Sequence, residues 1–298
     1  MRCAAAFALA LTLVAALPAL PDEASPPVRV VATFSILGDL VHNVGGDRVA
    51  VAPLVGPNGD AHVYSPSPAD AKTLAAARLT VVNGLGFEGW IDRLVQVSAT
   101  GAPVIVASAG VTPRRVGAAT SGPVGIDPHA WQSVGNVKIY VANIREALVG
   151  VDPAGRAVYA ANATSYLERL DRLDDEVRRA IASIPPARRK VITTHNAFGY
   201  FGADYGVEFI AQQGLSTEAE AAAKDVARII RQIREEHIPA IFVENITDPR
   251  LLKSIAAETG ARIGGTLYSD ALTGPNGSAP TYIELMRHNV DEIVAALK

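Results

Sequence analysis

Residues 152–184 read DPAGRAVYAANATSYLERLDRLDDEVRRAIASI, and this stretch decides the architecture. Asp152-Pro153 is a helix cap followed by proline at the first helical position, where the missing N–H costs nothing. From there to Ile184 the only breaker is Gly155, in the first turn. Leu167, Leu170, Leu173 and Val177 recur at helical spacing. Pro185-Pro186 ends the run. The pattern predicts one helix of about 32 residues, roughly 48 Å long at the usual rise. That exceeds what a small domain needs, so the helix is expected to be a rigid connector between two lobes, with half of a helical hairpin as the alternative.

Both flanks carry β/α signals. Before the helix, Val28 to Thr33 (VRVVAT) is an uninterrupted, β-branched run and predicts a buried strand. A helix over Ile36 to Val44 follows, ended by Gly45-Gly46, then a strand over Val49 to Val55. Ser67-Pro68 opens a helix that runs to about Ala77. Leu79 to Asn83 and Val104 to Ala107 read as short strands, with a helix near Trp90 to Ser98 between them. After the connector, strands are expected at 191–194, 207–211, 240–244 and 262–266, and helices at 218–236, 250–259 and 281–297. The expected fold is α/β: two β/α lobes with parallel sheets, at 28–150 and 188–298, joined by the long helix at 152–185. Gly-Pro-Asn-Gly occurs at 56–59 and at 274–277, which two turns of one type explain without duplication.

Composition narrows the function. Of 298 residues, 49% are apolar and the formal net charge is only -3, which excludes a disordered chain and gives no basic footprint for nucleic acid. Mean hydropathy is high partly because of the first twenty residues. Met1-Arg2-Cys3 precedes an apolar run from Ala4 to Leu17, a pattern that predicts a secretory signal peptide over residues 1–24. The single cysteine, Cys3, would leave with it, so disulfides, a cysteine-based zinc site and a cysteine nucleophile are not expected. Cys3 also precedes the apolar run, whereas a lipid-bearing cysteine would follow it.

Six histidines remain as candidates for chemistry. His42, His237 and His288 lie in helical stretches with polar neighbours and read as solvated residues. His62, His129 and His195 instead fall in loops or at strand ends, where ligands of open parallel sheets collect. Asp270, beyond the strand at 262–266, is the best-placed carboxylate. Asp60 and Asp127 stand beside histidines and are candidates to orient them. Glu244, at a strand end, reads equally as a site carboxylate or as a helix cap or ion-pair partner. No short metal motif is present, so a shared site requires the fold to bring four distant loops together.

At these residues the chain resembles the periplasmic zinc and manganese solute-binding proteins of bacterial metal ABC importers. The resemblance covers about Val28 to Lys298. It is carried by Thr33-Phe34-Ser35-Ile36-Leu37-Gly38-Asp39, by Gly59 to Asp70 (GDAHVYSPSPAD), by Asp127-Pro128-His129-Ala130-Trp131, by His195 to Phe201 (HNAFGYF) and by Tyr268-Ser269-Asp270-Ala271-Leu272. The second ligand motif departs from the family's Leu-Asp-Pro-x-Asn continuation, reading Gln132-Ser133-Val134-Gly135-Asn136. The segment Gly117 to Gly125 has no histidine, unlike the His-rich loop of many zinc receptors. The resemblance implies that His62, His129, His195 and Asp270 hold one cation between the lobes. It further implies no catalysis, a periplasmic location, a membrane permease of a metal ABC importer as partner, a periplasmic metallochaperone as a further partner, and a monomeric receptor.

Three imidazoles and one carboxylate favour Zn(II) by ligand type, since Mn(II) prefers more oxygen. Mn(II) is the alternative cargo. A zinc-dependent hydrolase is the rival from another class, needing an open coordination position and a free base such as Glu244. A receptor for a siderophore or corrinoid needs an open, often aromatic- or Arg-lined cleft between lobes, and no aromatic cluster accompanies the three histidines in the sequence. A surface adhesin would need an anchor or lipobox, and neither is read here.

Overall fold

The computed structural model describes residues 26–116, 125–218 and 222–298. The expected signal peptide and most of the segment 117–125 lie outside them. In chain order the first half contains β1 (Val28–Phe34), α1 (Ser35–Gly45), β2 (Val49–Val55), α2 (Pro68–Ala75), β3 (Leu79–Val82), α3 (Ile91–Ser98), β4 (Val104–Val106), the short β5 (Arg115–Val116) and β6 (Gly125–Ile126), and α4 (Val134–Val151). Then come α5 (Arg156–Ala182), β7 (Lys190–Thr193), α6 (Gly199–Tyr205), β8 (Glu208–Ala211), α7 (Ala223–Glu236), β9 (Ala240–Glu244), α8 (Arg250–Thr259), β10 (Arg262–Leu267) and α9 (Tyr282–Leu297).

Two four-stranded parallel sheets result, ordered β2-β1-β3-β4 and β10-β9-β7-β8. In each, the chain leaves its first strand to one side and later returns on the other. A gap therefore opens beyond the carboxyl ends of β1 and β3, and of β7 and β9, where ligands of such sheets bind. The uninterrupted apolar runs follow from burial on both faces. Val30, Ala32 and Phe34 of β1 enter the main core, while Val31 faces a second core under α2 and α3. Val191 and Ile192 of β7 divide in the same way between the main core and one under α7 and α8.

The long helix is present, in shorter form. Pro153–Gly155 make a 3₁₀ turn, and α5 proper has 27 residues, about 40 Å. The turn is imposed by Asp152. Its carbonyl accepts from the Gly155 N–H at 3.0 Å, and its carboxylate receives Arg48 Nε at 3.0 Å and Tyr159 Oη at 2.5 Å. Tyr159, Ala163, Tyr166, Leu170, Leu173, Val177 and Ile181 form the buried stripe of α5. That stripe meets α1 and α4 from the first half and α9 from the second. The connector is thus also one half of a helical pair with α4, so both expected roles apply. The helix expected from Glu218 is seen, among the described residues, from Ala223, after an extended Ala222. The stop at Gly260 is as expected, at a left-handed φ of 74°.

Burial favours the neutral Asp152 carboxyl, but hydrogen bonds from Tyr159 and Arg48 outweigh it and lower the pKa. Asp152→Ala should therefore lower the unfolding free energy by roughly 1.5–3 kcal/mol, the range for hydrogen bonds to charged groups. A carboxylate with a depressed folded-state pKa contributes stability above its unfolded pKa of about 3.9 and loses it as pH falls through the folded value. Denaturant titrations at pH 7 and near pH 3 should show the difference between variant and parent shrinking at the lower pH.

Candidate metal centre

His62 lies in the loop between β2 and α2, His129 just beyond β6, His195 two residues past the end of β7, and Asp270 three residues past β10. The fold brings all four together. Nε2 of His62 is 3.2 Å from Nε2 of His129 and 3.2 Å from Oδ2 of Asp270. Nε2 of His195 is 3.1 Å from the same Oδ2, and Nε2 of His129 is 3.8 Å from Oδ1. All four ligand atoms lie within 4.8 Å of one another. His129, His195 and Asp270 are fully buried, and the His62 side chain is nearly so. A tetrahedron with bonds of about 2.0–2.1 Å has edges of about 3.3–3.4 Å, so this donor set fits a single small cation. Oδ1 of Asp270 is buried without a hydrogen-bond partner, a donor atom in search of a charge.

Two imidazoles are held from behind by carboxylates. Oδ1 of Asp127 lies 2.9 Å from Nδ1 of His129 and accepts the His129 backbone N–H at 3.0 Å. Arg114 Nη1 donates to the other oxygen of Asp127 at 3.4 Å. Oε2 of Glu244 lies 2.6 Å from Nδ1 of His195, while Oε1 accepts the backbone N–H groups of Thr194 and His195 at 2.9 and 3.0 Å. A carboxylate on the far ring nitrogen fixes the tautomer that leaves Nε2 as donor to a metal. Asp60 orients His62 differently from Asp127 and His129: it accepts the backbone N–H of His62 at 2.9 Å rather than a ring nitrogen. Its second oxygen takes the Thr217 hydroxyl from the other half at 2.6 Å. The remaining histidines stay apart: His42 on α1, His237 in the left-handed turn ending α7, and His288 on α9 with Nε2 2.9 Å from the Thr266 carbonyl.

Electrostatics ties the two halves of the cluster. Burial disfavours charge on the His195 imidazole, yet Glu244 and Asp270 on its two sides outweigh burial and hold its pKa well above the usual histidine range. Burial likewise pushes the Asp270 carboxyl up, and His195 and His129 overcome that to hold it well below the usual carboxylate range. His195 thus lies between two carboxylates that favour its charged form.

The motifs around the ligands perform local tasks. Ser67 and Asp70 form a capping box at the start of α2, and Tyr64 Oη donates to Asp70 at 2.9 Å, so the residues after His62 lock its loop to a helix end. In the divergent second motif, Ser133 Oγ caps α4 by accepting the Asn136 N–H at 3.2 Å. Trp131 Nε1 and Gln132 Nε2 both donate to the Ser269 carbonyl, at 2.9 and 2.6 Å, joining the halves beside Asp270. One expectation needs correction. An aromatic cluster does accompany the histidines: Phe34, Phe87 and Trp131 pack together at 4.8–5.0 Å, with Phe87 4.7 Å from the His62 ring and Trp131 5.3 Å from the His129 ring. Three residues far apart in sequence make it, so no local pattern announces it. It is a packed wall and not the lining of an open cleft.

Residues 30–296 match the model of a family described as zinc-uptake complex component A, periplasmic (ZnuA). The chain is 36% identical over 275 residues to the iron-binding protein YfeA of Yersinia pestis, covering 92% of this chain and 87% of that one. It is 33% identical over 281 residues to the manganese-binding lipoprotein MntA of Bacillus subtilis, covering 93% and 92%. Among solved structures it superposes on the periplasmic zinc binding protein TroA of Treponema pallidum with a TM-score of 0.85 at 31% identity, covering 91% of this chain and 99% of that one. A manganese-bound periplasmic metal-binding protein of Candidatus Liberibacter asiaticus gives 0.82 at 32% identity, covering 91% and 100%. With the two parallel sheets, the long connecting helix and this extent of match, the chain belongs to the ZnuA family of metal-uptake components.

Proposed function

We propose that this protein is a periplasmic receptor that captures a divalent transition-metal ion on His62, His129, His195 and Asp270 and delivers it to the membrane permease of an ABC importer. The observation that carries the reading is the convergence of four buried or part-buried donor residues, from loops of both halves, with their donor atoms within 4.8 Å of one another. Residues 28–150 and 188–298 act as the two lobes, with 152–185 as the helix between them. Delivery involves no chemistry. A hydrolase needs an open position and a free base, whereas here the donors close on one another and Glu244 is spent on His195.

Zn(II) is the cargo favoured by ligand type, because neutral imidazole suits it and four protein ligands complete its tetrahedron. A second reading, Mn(II), has its own support. Oδ1 of Asp270 is unpartnered and offers a further oxygen to a larger, oxygen-preferring ion. Two similar proteins are manganese-binding lipoproteins. Native mass spectrometry of the periplasmic protein with elemental analysis is expected to find one zinc per chain. One manganese per chain would favour the second reading, and a chain without metal would sink both.

His195→Ala removes a ligand and should weaken Zn(II) binding by at least about a hundredfold, more than the loss of an outer partner. His237→Ala should leave it unchanged. Competition against a chromogenic chelator compares the two. The raised pKa of His195 sets the pH response. Below that value the cation-free site holds a proton that the metal must displace, so affinity should still be rising with pH across neutrality. Calorimetry at pH 7.5 in buffers of different ionisation enthalpy should show protons released as metal binds.

A further inference from the structure

The stretch Asn83-Gly84-Leu85-Gly86-Phe87-Glu88-Gly89-Trp90 leaves β3 at the point where the first sheet's connections diverge. Its backbone is unusual. Gly84, Leu85 and Gly86 take φ values of 81°, 58° and 82°, and for Leu85 the left-handed region is costly. A buried carboxylate holds this bend. Oε1 of Glu88 accepts the Asn83 N–H at 2.6 Å and the Thr33 hydroxyl at 2.6 Å, and Oε2 accepts the Gly84 N–H at 3.1 Å. A non-glycine residue at 84 would bring its Cβ to 2.4 Å from Val106, so the bend also needs glycine there for space.

Three side chains leave this bend toward the two first-half ligands. Trp90 Nε1 donates to the carbonyl of Ala61, the residue before His62, at 2.8 Å. Asn83 Nδ2 donates to the carbonyl of Pro128, the residue before His129, at 2.9 Å, while its oxygen accepts from Tyr140 Oη at 2.5 Å. The Phe87 ring stands edge-on to both imidazoles, at 4.7 Å from His62 and 5.9 Å from His129. Each ligand is thereby gripped at its preceding carbonyl and at its ring by one short segment that contributes no donor atom.

We propose that residues 83–90 are a positioning clamp that presets His62 and His129 as half of the metal site, with Glu88 as the residue that holds the clamp in shape. Outer partners of this kind govern affinity because a ligand held in place loses less freedom on binding. The proposal rests on the reading of the four side chains as metal ligands, and the test separates the two.

The experiment uses the full chain and Co(II) alone as probe, whose visible absorption reports coordination geometry. Three variants are compared: Glu88→Gln, which sets an amide N–H against the Gly84 N–H; Trp90→Phe, which deletes one hydrogen bond; and Phe87→Leu, which keeps apolar volume but removes the ring. Glu88→Gln should weaken Co(II) and Zn(II) binding by about ten- to a hundredfold, and Trp90→Phe by roughly 2- to 13-fold. At least one variant, including Phe87→Leu, should alter the Co(II) spectrum at saturation. Thermal unfolding of the metal-free proteins monitors a merely structural role. If Glu88→Gln does not fold, the other two variants decide. Variants that bind with parental affinity and spectrum, losing only thermal stability, would overturn the clamp. A parent protein that takes up no Co(II) would instead overturn the ligand assignment.

Discussion

A buried carboxylate surrounded by three buried imidazoles is the constraint to which the rest of the structure answers. Asp270 is fully buried, and burial of a charge is tolerated only where opposite charge and hydrogen bonds replace water. Here the replacement comes from both halves, His62 and His129 on one side and His195 on the other. Each further layer serves that arrangement. Glu244 and Asp127 sit behind two of the rings, Arg114 behind Asp127, and an aromatic wall excludes water from the His62 and His129 faces. Glu244 and Asp270 on either side of His195 favour its charged form, so a proton there and a cation on the four donors would compete for the same negative charge.

The two sheets supply this cluster through topology rather than through any local motif. Both place a connection reversal beyond the carboxyl ends of central strands, and α5 sets the two reversals facing by packing on α1 and α4 of one half and α9 of the other. Direct bonds then fix the seam near the ligands. Trp131 and Gln132 reach the carbonyl of Ser269, Ser35 accepts the Leu272 N–H at 3.0 Å, and Tyr282 donates to the Trp131 carbonyl at 2.8 Å.

Most of the strands and helices are legible in the sequence because each is punctuated by local chemistry. Ser67-Pro68 announces α2, Gly260 ends α8, and uninterrupted β-branched runs mark strands buried on both faces. The three loop histidines and Asp270 stand out because strand ends in parallel sheets are where such residues meet. What is not legible depends on tertiary partners. The shortening of the long helix comes from Arg48, over a hundred residues earlier, gripping Asp152. The hydroxyl bond from Thr217 to Asp60 runs across the molecule between residues 157 apart. The aromatic wall joins Phe34, Phe87 and Trp131 from three separate elements, and the role of Glu244 is visible only once β7 and β9 lie side by side. Periodicity and capping describe a residue's neighbours in sequence, and these features are made by neighbours in space.

The chain order of the ligands carries a last consequence. His62 and His129 are 67 residues apart, and His195 and Asp270 are 75 apart. No short stretch of chain holds more than one of the four converging donors, so their convergence exists only in the folded chain. An ion held on this cluster would recognise a finished tertiary structure and stabilise it by mass action. Each half carries two of the four donors, so a molecule that has lost the packing of either half is left with at most a two-donor site.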